Sequence, residues 1–249
     1  PAREVAVPFV KGTTPPAQQR LELDLLAALD RERGAADAAA EARLQSFEVA
    51  FRMQNTAPAV QDLTRETAET HRLYGIDEKP TENFGRECLM ARRFAEAGVR
   101  FVQVSHSYKW DQHGNLKADH AKNALEVDKP IAGLLTDLKR RGLLADTLVW
   151  WGGEFGRTPT AQGGDGRDHN PHAFSMWLAG GGVKGGVSYG ETDDFSYNVV
   201  EGPAHVNDVN ATILHCLGVD HSKFTFKFQG LDQRLTGVEE QQVIKEILA

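Results

Sequence analysis

The 249-residue chain has only two cysteines, Cys88 and Cys216, and no C-x-x-C spacing. That excludes a disulfide framework and a zinc ribbon, and it leaves the redox compartment open. Basic residues are not in excess: 28 Lys and Arg stand against 35 Asp and Glu, a formal charge of −7. A chain without a basic face is not built to track nucleic acid. No apolar run approaches the roughly 20 residues that a membrane-spanning helix needs. No G-x-x-x-x-G-K-[ST] occurs, so the glycines of 180–186 are not a phosphate-cradling loop; they read as a tight, hairpin-like turn. An initiator Met is lacking too. The chain opens at Pro1, with no charged or apolar leader region after it. It reads as processed, trimmed or a fragment, so the missing leader says nothing about export of the full-length protein.

What is present is a soluble-type composition with enough apolar residues for one large domain, or one domain with a helical extension. Thr13-Thr14-Pro15-Pro16 predicts a helix start. Leu21, Leu25, Leu26 and Leu29 then fall on one helical face. Gly34 interrupts this helix. A second helix is expected over about 38–54, with Leu44, Phe47 and Phe51 inward, and a weaker helical segment over 56–74 ends at Gly75. Residues 1–78 therefore form a helical segment and 79–249 an α/β domain. In the latter, a helix over 84–97 closes at Gly98, a strand follows over 99–104, a helix covers 121–141, with Leu125, Ile131, Leu134, Leu135 and Leu138 inward, and a strand covers 147–151. That order predicts a right-handed parallel crossover. A further strand is expected over 174–179, a helix capped by Asn207 or Asp208, and a terminal helix over 238–248. The expected fold class is α/β, with a mainly parallel central sheet flanked by helices.

Chemistry is expected beyond the carboxyl ends of such strands. The strand at 99–104 exits into a loop with His106 and Asp111-Gln112-His113. The strand at 147–151 exits into Gly152-Gly153-Glu154-Phe155-Gly156-Arg157. The loop before the third strand carries Arg167-Asp168-His169. Each pair has a plain reading: Asp111 capping a turn beside a packed His113, or Arg167 and Asp168 pairing at the surface. Together they suggest more, because carboxylates and imidazoles gathered at one edge repel unless a cation or protons intervene. Asp111, His113, Glu154, Asp168 and His169 are the candidate metal ligands. Arg157 and Arg167 are the candidate catalytic groups, since a guanidinium fork matches phosphate or sulfate oxygens. His106 and His172 are candidates for steadying the ligands. Trp150 and Trp151 read as core. Metal plus arginine is equipment for polarising and holding an oxyanion ester.

At these residues the chain resembles a known family. The segments "CLMARRFAEAGVRFVQV", "WDQHGN", "DKPIAGLLTDLKRRGLLADTLVWWGGEFGRTP", "GRDHNPHAFSMWLAGGGVKGG" and "HVNDVNATILHCLGVD" are similar to the sulfatase-like domain-of-unknown-function family numbered fifteen-oh-one, a branch of the alkaline phosphatase superfamily. They span the chain from Phe84 onward. The resemblance implies a metal-dependent hydrolase of phosphate or sulfate esters. Its cofactor would be divalent metal, with zinc, calcium and manganese as candidates, and its substrate a small-molecule or glycan ester. It places Asp111, His113 and His169 at ligand positions, and it implies an exported or periplasmic home. The sequence departs from the superfamily in two places. Phe155 stands where a His ligand is expected, and no stretch before residue 80 resembles the strand that supplies the nucleophile. The chain is therefore expected to be a C-terminal part. A metal- or glycan-binding relative without turnover stays open, as does a mutase or phosphonate-cleaving relative.

Overall fold

The structure is a computed structural model, and it describes residues 13–32 and 38–249. The break expected at Gly34 lies outside the described residues. The chain divides into two compact units, residues 1–105 with 129–131, and residues 106–128 with 132–249.

The first unit is helical: α1 (Pro16–Glu32), α2 (Ala38–Gln61), α3 (Ala68–Tyr74) and α4 (Glu82–Glu96). The second helix runs to Gln61, through Pro58, past the expected end at residue 54. In α1, Leu23 is buried while Leu21, Leu25, Leu26 and Leu29 are exposed. An apolar stripe predicts burial only where a neighbour covers it, and Leu23 lies off the predicted face. Thr67 caps α3, its hydroxyl accepting from the Thr70 N–H at 3.1 Å. Gly75 ends α3 in the left-handed region at φ 66°, a conformation that costs glycine nothing. Tyr74, Ile76, Phe84, Cys88, Leu89 and Met90 form the buried core. Burial pushes the Cys88 thiol up to about 12, so it is a packing residue and no nucleophile. At one side of α4, the buried Arg92 lies 2.7 Å from the Glu66 carboxylate, which also takes Arg93.

The predicted strand over 99–104 does not form. Val99 donates back to the Phe94 carbonyl and so closes α4. Residues 101–106 join no ladder, and Phe101 is 75% exposed. A strand needs a partner to satisfy its backbone, and hydropathy marks the strand-like residues without supplying that partner.

This absence overturns the expected α/β class. The second unit holds α5 (Leu116–Arg140), which begins earlier than expected, and α6 (Val206–Cys216). Its strands are β1 (Leu148–Trp151), β2 (Gly156–Gln162), β3 (Gly166–Asn170), β4 (Trp177–Gly180), β5 (Glu191–Thr192), β6 (Val199–Glu201), β7 (Thr225–Phe228) and β8 (Leu231–Arg234). They pair as four separate two-stranded antiparallel sheets, β1–β4, β2–β3, β5–β6 and β7–β8. The architecture is mixed α+β, with no parallel central sheet among the described residues. After α5 the chain has no strand at 99–104 to return to, so β1 takes β4 instead, with Leu148 opposite Gly180 and Trp151 opposite Trp177. Trp150 and Trp151 are each 42% exposed, not core, and Trp151 stacks on Trp177 at 6.2 Å. Leu125, expected inward, is exposed, whereas Leu138 is buried.

Helix α6 is capped by neither Asn207 nor Asp208 alone. The His205 ring accepts from the Asn207 N–H at 3.2 Å, and Asp208 accepts from the His205 N–H at 2.7 Å. Asp208 also takes the Gln242 N–H, and Thr212 takes that of Ile244. These bonds hold the terminal segment extended, so the helix predicted over 238–248 shrinks to one turn at Lys245–Ile247.

Burial works to raise the Glu66 carboxyl, but Arg92 and Arg93 hold it below its ordinary value of 4.5. A lowered carboxyl contributes stability above the unfolded value and loses it as pH falls through the folded one. Denaturant melts should therefore weaken as pH drops below about 4.5. Glu66→Gln should cost about 3 kcal/mol at neutral pH, because it leaves buried Arg92 without this counter-charge. It should also flatten the acid limb. An unchanged acid limb in the variant would refute the assignment.

Candidate metal centre

The site is built where the 106–115 loop meets the β2–β3 hairpin. The hairpin turns through Gly163 in the left-handed region, and its register sets Arg157 opposite His169 and Gly156 opposite Asn170. Directly opposed residues present their side chains on one face. Backbone bonds seat the loop on the hairpin: Asn115 N–H to the Asp165 carboxylate at 3.0 Å, and Arg167 N–H to the Gln112 carbonyl at 3.0 Å. Gly166 is what permits the approach. A Cβ at that position would lie 1.9 Å from the His113 carbonyl oxygen.

Three ligand-type side chains converge there. The Asp111 Oδ1 lies 2.9 Å from His113 Nε2 and 3.1 Å from His169 Nε2, and the two Nε2 atoms are 3.0 Å apart. His113 Nδ1 hydrogen-bonds the Gln162 amide oxygen. An amide oxygen only accepts, so Nδ1 carries the proton and, in the neutral ring, Nε2 presents a lone pair. That lone pair faces a carboxylate oxygen. Two acceptors at 2.9 Å repel, and only a proton or a metal ion between them makes the contact favourable. Hydrogen bonds from His169 and Arg157 hold the Asp111 carboxyl below the usual range, so it is ionised as a ligand must be, while His169 would have to release its Nε2 proton to bind a metal. The three side chains are 54%, 40% and 43% exposed for Asp111, His113 and His169, which leaves the open side accessible.

The donor set can be tested against the ion. Two imidazoles and one carboxylate suit manganese or zinc, and they suit calcium poorly, since it prefers oxygen ligands.

The remaining candidates are placed as follows. Arg157 joins the triangle: its Nη2 donates to Asp111 Oδ1 at 3.0 Å and to the Trp110 carbonyl at 3.2 Å. Its guanidinium lies over the Phe155 ring at 5.4 Å, and the same ring packs on His169 at 4.1 Å. Among the described residues, the group able to hold a metal is Asp111, His113 and His169; Glu154 and Asp168 are not part of it. The Asp168 carboxylate accepts from the His169 N–H at 2.8 Å. Arg167 turns back to the Gly166 carbonyl at 2.8 Å. His106 has both ring nitrogens engaged, by Glu126 at 3.0 Å and by the Trp110 indole N–H at 2.9 Å. It therefore props the tryptophan whose carbonyl Arg157 uses. His172 gives its backbone N–H to Asn170 at 3.1 Å. Gln162 is absent from the sequence-level set. Its signal was the Gly163-Gly164 turn, which read as a hairpin places Gln162 in the strand next to β3.

Gly166→Ala should push β3 off the loop and cost about 1–3 kcal/mol, with lost ligand convergence. Gln162→Leu should leave stability nearly unchanged and weaken metal binding about 10- to 100-fold, because His113 loses its orienting partner. Thermal melts and calorimetric metal titration read the two effects separately. Equal metal affinity in Gln162→Leu and the parent would refute the tautomer argument.

No curated protein and no solved structure matches the chain. The family described as "Protein of unknown function (DUF1501)" matches residues 7–248, and the chain belongs to it.

Proposed function

We propose that the chain forms the metal-binding part of a metal-dependent hydrolase of phosphate or sulfate esters, on the pattern of the alkaline phosphatase superfamily. The observation that supports this reading is the Asp111–His113–His169 triangle, with Arg157 3.0 Å from the same carboxylate oxygen. Asp111, His113 and His169 would hold a divalent ion, which would supply Lewis-acid polarisation of an ester oxygen, and Arg157 would neutralise oxyanion charge beside it. Asp111, His113 and His169 bind, and Arg157 orients. Zinc or manganese fits the donors better than calcium. The substrate class is a small-molecule or glycan ester, and an exported location goes with the resemblance.

A second reading is a metal- or glycan-binding relative without turnover. Phe155 supports it, because its ring occupies the turn where the resemblance expects a further imidazole, 4.1 Å from His169.

Metal analysis and substrate screening separate the two. The protein should hold about one Mn2+ or Zn2+ per chain, and His169→Ala should weaken binding by at least about 100-fold, since one of three ligands is lost. Aryl phosphates, phosphodiesters and aryl sulfates form the screen. Chelator-sensitive hydrolysis that His169→Ala abolishes excludes the binding-only reading. Stoichiometric metal with no hydrolysis favours it. No stoichiometric metal sinks the hydrolase reading and the metal-binding form of the second.

A further inference from the structure

The metal reading leaves one feature unexplained: the arginine already sits on the oxygen a metal would take. Asp111 Oδ1 faces His113 Nε2, His169 Nε2 and Arg157 Nη2 at 2.9, 3.1 and 3.0 Å. A carboxylate oxygen offers about two lone-pair directions, too few for all of these together with a metal. An ion about 2.1 Å from that oxygen would also lie within about 5 Å of the guanidinium, where like charges repel. Meanwhile Arg157 Nη1 is buried and has no hydrogen-bond partner, a costly state for a charged donor.

We infer that Arg157 is a displaceable counter-ion: it holds Asp111 until metal loads, and metal loading releases it to bind a tetrahedral oxyanion. The inference rests on the metal reading above and adds a coupling between two ligands at that site. The Phe155 ring, 5.4 Å from the guanidinium, is the platform on which the released side chain would turn. Released Nη2 and unpartnered Nη1 then form the two-toothed donor that phosphate and sulfate oxygens match. By linkage, the anion strengthens metal binding by the same factor as metal strengthens anion binding.

The test is calorimetric, on the whole chain, with Mn2+ and inorganic sulfate as probes. In the parent protein, saturating sulfate should tighten Mn2+ binding about tenfold, and Mn2+ should tighten sulfate binding equally. Arg157→Gln should bind Mn2+ about 3- to 10-fold tighter than the parent without sulfate, and should show no coupling. Arg157→Lys keeps the charge but not the fork, so its Mn2+ affinity should stay near that of the parent while coupling falls. Weaker Mn2+ binding in Arg157→Gln, or coupling that survives in it, overturns the inference while leaving the metal site intact. A parent protein that binds no Mn2+ overturns the metal reading itself.

Discussion

Asp111 Oδ1 is the atom on which the site depends. Two imidazole nitrogens and one guanidinium nitrogen all lie within 3.1 Å of it. Without that negative charge, three groups that are cationic or can become so would face one another across about 3 Å, and the arrangement would open. The charge is itself maintained by those groups, which hold the carboxyl below its ordinary range. The ligands and their counter-charge therefore stabilise one another, and none of the four is explained alone.

Backbone geometry makes the convergence available. Asp111 and His169 are 58 residues apart, so no local propensity brings them together. The contact is made by a hairpin whose strand begins at a glycine, pressed so closely on the 112–114 loop that any side chain would strike a carbonyl. The Arg167 and Asn115 amides then tie the two segments. The His106–Glu126 and His106–Trp110 bonds brace the loop from behind. The candidate site thus rests on a tight backbone approach and on second neighbours, which is how exposed side chains keep a geometry without a buried pocket.

Several of these pieces were legible in the sequence and several were not. Asp111, His113, His169 and Arg157 stand out in the sequence as acid, imidazole and guanidinium groups near glycines, and the structure brings these four together. The helices were legible too, since Gly75, Gly98 and Gly142 end them in the left-handed conformation that only their type favours. The sheet was not. Val99 to Val104 has strand-forming residues, yet β1 pairs antiparallel with β4 and 101–106 pair with nothing. Strand propensity is local, whereas pairing depends on the whole chain. Glu154 and Asp168 sit beside the convergence in sequence, but the group able to hold a metal among the described residues does not include them. Asp168 turns its carboxylate to the next amide, and His169 alone reaches Asp111.

Phe155 sharpens what kind of centre this is. Between β1 and β2 this chain has a phenyl ring that touches His169 at 4.1 Å and carries Arg157 at 5.4 Å. A phenyl ring has no donor atom and cannot coordinate a metal. What it does is fix the plane of His169 by contact and hold a guanidinium by its π face. An imidazole in the same place would compete for the ion and offer Arg157 a poorer platform. Under the proposed function, Phe155 would leave one ion with three protein ligands, next to the Arg157 guanidinium. In the proposed hydrolase, that arrangement places the burden of holding the oxyanion on Arg157 instead of on a second metal.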